Sequence, residues 1–86
     1  TGIDFAASIG TPIYATADGK VVEVSVRFSG YGKMVEIDHG FGYKTRYAHM
    51  HGFAVRQGQM VKRGDLIGYV GNTGLSTAPH LHYEVM

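Results

Sequence analysis

Few stretches of this chain carry a sustained helical period; its apolar residues alternate over short runs, and glycines cut the runs apart. Those two signals constrain the fold more than anything else in the sequence. A period of two puts successive side chains on opposite faces of a strand, and glycine at the run ends supplies the turns. Val22, Val24 and Val26 share one parity and Glu23, Ser25 and Arg27 the other, which predicts a half-buried strand. Met34 to His39 reads similarly, with Val35 and Ile37 as its apolar pair. Tyr43 to Met50 predicts another strand, with Tyr43, Thr45, Tyr47 and His49 on one face. Leu66 to Val70 and His80 to Val85 predict two more. Pro12 to Thr16 predicts a short strand at a sheet edge, because proline cannot complete a central ladder. Asp18-Gly19 predicts a tight hairpin, Ser29 to Gly32 and His39 to Gly42 predict further turns, and Gly71 to Pro79 a long polar loop. The expected fold is a single all-β domain of mostly antiparallel strands.

With 86 residues the chain forms one domain at most. So short a chain buries a modest fraction of its surface, and a bound metal or a larger parent fold would help it. The formal net charge is +1, with Lys and Arg scattered. Nucleic-acid binding needs a concentrated basic face, so it has no electrostatic support here. The chain has no Cys, which excludes disulfides and thiolate metal sites and fits an envelope or extracellular protein slightly better than a cytosolic one. No stretch is apolar for long enough to span a bilayer. Nor is there a signal peptide; Thr1 is not a natural start, and a targeting segment could have been removed upstream.

The chemistry should lie with the five histidines. In a strand, His80 and His82 project to the same face, while Leu81, Tyr83 and Val85 take the other. One apolar face and one imidazole face make a good platform for zinc, which at catalytic sites keeps three protein ligands and one open position. Read alone, the pair is equally consistent with two surface histidines alternating with core residues. Asp4 lies in a run of otherwise apolar and small residues, where a carboxylate wants a partner; capping or a turn is its plainer role. His49 ends the face begun by Tyr43 and could equally be a hydrogen-bonded strand-end histidine. His39 and His51 sit beside Gly40 and Gly52 and read as solvated loop residues.

Five stretches together resemble the lysostaphin-type, or LytM-like, zinc endopeptidases. They are Thr1-Gly2-Ile3-Asp4-Phe5-Ala6-Ala7, Gly10-Thr11-Pro12-Ile13-Tyr14-Ala15, Tyr47-Ala48-His49-Met50, Gly58 to Asp65, and Gly71-Asn72-Thr73-Gly74 running to His80-Leu81-His82-Tyr83-Glu84-Val85. The resemblance implies an antiparallel sheet with an open groove, barrel-sandwich-like, of the duplicated hybrid motif kind. It implies Zn2+ as cofactor, with Asp4 and His82 as ligands and His49 and His80 as the catalytic histidines. It places the first ligand of the family on the residue immediately before Thr1, so residues 1–86 are expected to be one peptidase domain truncated just after that histidine. The implied reaction is hydrolysis of peptide cross-links in bacterial peptidoglycan, in the periplasm or outside the cell. One of His49 and His80 would accept the water's proton, and the other would stabilise the oxyanion or protonate the leaving amine.

The same resemblance implies finer expectations. The Tyr-Ala-His and Ser-Thr-Ala-Pro-His-Leu-His contexts look most like Gram-negative members that cut between D-alanine and diaminopimelate, with glycine-bridge cleavage as the alternative. Asn72 and Thr73 could line the substrate groove, since loops beside a strand-borne site often carry specificity. Glu84 shares the parity of His80 and His82 and could orient an imidazole, though a solvated strand-end glutamate is its plainer reading. Two rivals come from other classes. A non-catalytic LytM-like domain that activates a wall amidase usually loses site residues, whereas Asp4, His49, His80 and His82 are all present. A lipoyl or phosphotransfer carrier is suggested by Gly58 to Gly71, but Lys62 lacks the lipoyl context, and a phosphotransfer domain has no use for Asp4 or for His-x-His.

Overall fold

The computed structural model describes residues 2–27, 30–71 and 80–86; at 2–5, 27 and 80–82 the description is of the backbone. The described residues form nine strands and no helix. They are β1 (Gly2–Ala6), β2 (Pro12–Tyr14), β3 (Gly19–Arg27), β4 (Gly32–Gly40), β5 (Tyr43–Ala48), β6 (Met50–Phe53), β7 (Met60–Val61), β8 (Leu66–Val70) and β9 (His80–Val85). They build a six-stranded sheet in the order β1-β9-β5-β4-β3-β7 and a three-stranded sheet in the order β2-β8-β6. Every pairing is antiparallel, and the sheets are open. Pro12 starts β2 at an edge of the smaller sheet, where its missing N–H costs no ladder bond.

The core lies between the two sheets. Val35 and Ile37 of β4, Thr45 and Tyr47 of β5, and Val21 of β3 are buried on the inner face of the large sheet. Ile13, Met50, Ile67 and Val70 close it from the small sheet, with Val55 and Val61 beside them. The β3 face differs from the expected one. Val21 pairs with Ile37 but Glu23 pairs with Glu36, so Val22 is an extra residue in the ladder. The bulge reverses the parity of the residues beyond it. Val21 and Val24 therefore both face the core, whereas Val26 is 51% exposed.

Two further expectations are corrected. Asp18-Gly19 is not a hairpin, because β2 pairs with β8 while β3 pairs with β4 and β7. The turn instead carries the chain from one sheet to the other, and the Asp18 carboxylate accepts the Arg63 N–H at 2.8 Å. Nor is Tyr43 to Met50 one strand. β5 ends at Ala48 in the large sheet and Met50 opens β6 in the small one, with His49 at the crossing. The β4–β5 hairpin is as expected: Gly40, Phe41 and Gly42 all have positive φ. The short strands β1, β6 and β7 carry too few alternations to read from sequence.

Gly68 tests how closely the small sheet packs. A Cβ there would collide with the Met50 methyl and the Gly52 carbonyl, whereas a Cβ on Gly52 meets nothing within 4 Å. Gly68→Ala is expected to destabilise the fold by about 1–3 kcal/mol, the usual cost of overpacking. Gly52→Ala should stay within about 0.5 kcal/mol of the parent. Urea unfolding of both variants checks the contrast.

Candidate functional site

Strand β9 lies between β1 and β5, and its register decides which residues meet. Tyr83 pairs with Ile3 on one side and Tyr47 on the other. The Tyr83 ring packs against the core, 5.3 Å from the Tyr47 ring. Because strand positions alternate faces, positions 80, 82 and 84 fall on the outward face. His82 is directly opposite both Asp4 and Ala48, and His80 is opposite Ala6. Directly opposed residues of an antiparallel pair share a face. The register therefore puts positions 4, 80 and 82 on one surface of the large sheet.

His49 is the neighbour of Ala48, and so lies one residue from that row. It is buried and has φ 58°, the left-handed region that residues with a Cβ seldom enter. Two main-chain bonds hold it there. Its N–H donates to the Tyr31 carbonyl at 2.8 Å, and its own carbonyl accepts the Gly71 N–H at 3.1 Å. Gly71 must lack a side chain, since a Cβ would lie 2.6 Å from the His51 nitrogen.

Beside this row is a second outward row, in which Glu84 pairs with Arg46, and Arg46 with Glu36. Arg46 donates to Glu36 through Nη2 at 2.8 Å and Nε at 3.2 Å, and to Glu84 through Nη1 at 3.3 Å. The Tyr31 hydroxyl donates to both Glu84 oxygens at 3.2 Å, and its ring lies 4.8 Å from the Arg46 guanidinium. Partial burial would lower the Arg46 pKa, but the bond to Glu36 and the Tyr31 interaction outweigh it, and the net shift is upward. The guanidinium stays charged, and it holds two carboxylates side by side on one sheet face.

Backbone register brings Asp4, His80 and His82 to one face, with His49 next to it. Asn72 and Thr73 lie outside the described residues. Among the described residues, no group of three or more His, Cys, Asp or Glu side chains is placed to hold a metal. Glu84 is not a solvated strand-end residue: its side chain is 16% exposed and bonded to Arg46 and Tyr31. His39 is not a solvated loop residue either. It lies buried in β4, its Nδ1 donating to the Asp18 carbonyl at 2.7 Å and its Nε2 lying 2.6 Å from Thr45 Oγ1. His51 is exposed as expected, though within β6. Sequence reasoning does not single out Tyr31, Glu36 or Arg46. A signal is present for two of them: once Tyr47 and Ile37 are inward, Arg46 and Glu36 must face outward.

Residues 1–86 match the sequence model of Peptidase family M23. The peptidoglycan DD-endopeptidase ShyA of Vibrio cholerae is 51% identical over 86 residues, a match covering 99% of this chain and 20% of that protein. A zinc containing peptidase from Vibrio cholerae superposes with TM-score 0.95 at 48% identity, covering 99% of this chain and 26% of that one. The catalytic domain of the antimicrobial peptidase lysostaphin from Staphylococcus simulans superposes with TM-score 0.96 at 41% identity, covering 99% and 65%. The chain spans about a fifth of the length of the curated relatives it matches.

The left-handed backbone at position 49 has a measurable signature. Glycine adopts that conformation without the Cβ penalty, so His49→Gly is expected to be more stable than His49→Ala by about 1 kcal/mol. Both variants lose the imidazole, so the difference in their urea midpoints isolates the backbone. Equal midpoints would show that position 49 carries no such strain.

Proposed function

This chain belongs to Peptidase family M23, and from that premise we propose that it is the catalytic part of a zinc-dependent endopeptidase that hydrolyses peptide cross-links of bacterial peptidoglycan. The observation that carries the reading is the opposition of Asp4 and His82 across β1 and β9. A carboxylate and an imidazole at directly opposed positions on one face are a donor set that suits zinc. Catalytic zinc sites use three protein donors, so a third donor completes the set in the whole protein. A bound zinc ion supplies Lewis acidity to the scissile carbonyl and lowers the pKa of water.

His49 and His80 are the proposed catalytic residues. One takes the proton of the attacking water; the other stabilises the oxyanion or protonates the departing amine. His80 lies two residues from His82 on the same strand, about 6–7 Å along it. That spacing lets His80 flank the reacting water while His82 serves as a donor. His49 comes from the neighbouring strand's end, and its doubly bonded backbone makes a rigid mount. Residues 1–86 act in this reading as one domain, working in the periplasm or outside the cell. The proposed bond is D-alanine–diaminopimelate. Its support is the 51% identity to a protein named as a DD-endopeptidase, against 42% to one from Staphylococcus capitis named as a glycyl-glycine endopeptidase.

The division of roles gives a direct test in the full-length protein. His82→Ala is expected to lose bound zinc and peptidoglycan turnover together. His49→Ala and His80→Ala should keep zinc and lose at least about 10²-fold in rate, the usual contribution of a positioned acid or base. Zinc content by mass spectrometry, read beside muropeptide release by chromatography, separates the two classes. An empty site in His80→Ala with a filled one in His82→Ala would reverse the roles. Full activity in all three variants would remove the peptidase reading itself.

A further inference from the structure

The left-handed backbone of His49 has to be held from outside, because no ladder pairing fixes a residue at a crossing between sheets. One of its two holding bonds comes from the Tyr31 carbonyl, at 2.8 Å. Tyr31 stands just ahead of β4, outside any strand, so pairing does not fix it either. What fixes it is its side chain. The hydroxyl donates to both oxygens of Glu84, and the ring lies on the Arg46 guanidinium. Arg46 is in turn held by Glu36 at 2.8 Å.

These contacts form a continuous path across the outward face. Glu84 lies two residues past His82 on β9, and Arg46 lies two residues before Ala48 on β5. A shift of the Glu84 carboxylate would move the Tyr31 ring, and with it the carbonyl that receives the His49 N–H. We propose that Tyr31, anchored by Glu84 and Arg46, is a positioning residue that sets the backbone of His49 relative to the strand bearing His82. The inference rests on the reading of His49 as catalytic. Tyr31 touches neither substrate nor metal in this proposal; it acts through the main chain of His49.

Two substitutions perturb the anchor with little change in shape. Tyr31→Phe removes only the hydroxyl and keeps the ring over Arg46. Glu84→Gln keeps an oxygen acceptor and removes the charge. In the full-length zinc-loaded protein, Tyr31→Phe is expected to lower kcat on peptidoglycan about tenfold, the low end of what outer partners of a catalytic site contribute. KM should stay within roughly twofold, as befits an interaction that matters mainly in the transition state. Zinc content should not change. Glu84→Gln should retain more activity than Glu84→Ala, and the 15N-labelled His49 amide resonance should move in Tyr31→Phe. A lowered thermal midpoint with unchanged kcat and an unmoved His49 amide would overturn the proposal and leave the cluster a sheet brace. If the parent protein fails to cut peptidoglycan, or His49→Ala cuts it at full rate, the catalytic reading fails. The His49 amide still decides in that case: a shift in Tyr31→Phe upholds the positioning of the His49 backbone, and no shift refutes it.

Discussion

Insertion of β9 between β1 and β5 is the constraint on which the rest of the molecule depends. It joins the two ends of the chain in one sheet and fixes the opposition of Asp4 and His82. A slip of one residue would turn His80 and His82 toward the core and Tyr83 toward solvent. The register is pinned from the inner face. Thr16 Oγ1 lies 3.1 Å from both the Tyr47 and Tyr83 hydroxyls, and the two rings pack at 54° to each other. One threonine in the link between the sheets thus ties β5 to β9. Hydroxyl and ring contacts on the inner side of the sheet thus act together with the Arg46–Glu84 ion pair on its outward side in setting β9 against β5.

The same inner face explains why so small a core tolerates polar groups. From the Asp18 carbonyl the contacts run through His39 to Thr45, from Thr45 to Tyr47 at 3.2 Å, and from Tyr47 to Thr16. Among the described residues, no buried side-chain nitrogen or oxygen lacks a hydrogen-bond partner. The network is buried at His39, Thr45 and Tyr47, and buried polar groups of this kind are stabilising only when they are all paired. His39 belongs to that network, with its ring stacked on Tyr43 at 4.9 Å. Both of its ring nitrogens are engaged, which gives His39 a structural role.

Much of this is legible in the sequence because strand parity is local. The alternation of His80, His82 and Glu84 with Leu81, Tyr83 and Val85 needs no partner strand to be read, and neither does the inward placing of Val35 and Ile37. The pairing of Asp4 with His82 is not local: the two residues come from opposite ends of the chain, and only the family resemblance links them. The extra residue at Val22 is also hidden, because a bulge leaves the composition of a strand unchanged while reversing its faces. His49 reads as the end of a continuous face for a similar reason. Nothing in Tyr47-Ala48-His49-Met50 announces that the chain changes sheets there. Arg46 and Glu84 look like solvated charges until the register sets them opposite each other.

The position of that sheet change is itself informative. A chain passing from one sheet to the other must abandon its ladder, and where the passage uses a left-handed residue, Gly or Asn is the usual choice. Here the position is occupied by His49, buried, with φ 58° and two main-chain bonds. A histidine kept at a strained backbone position, where a smaller residue would be more stable, points to a use for its ring, since strain of this kind persists only where the surroundings over-determine it. The surroundings do so here, through Tyr31 on one side and Gly71 on the other. Gly71 closes β8 and is itself confined by the backbone of His51. The crossing therefore fixes the His49 main chain where the two sheets meet, next to the row of positions 4 and 82.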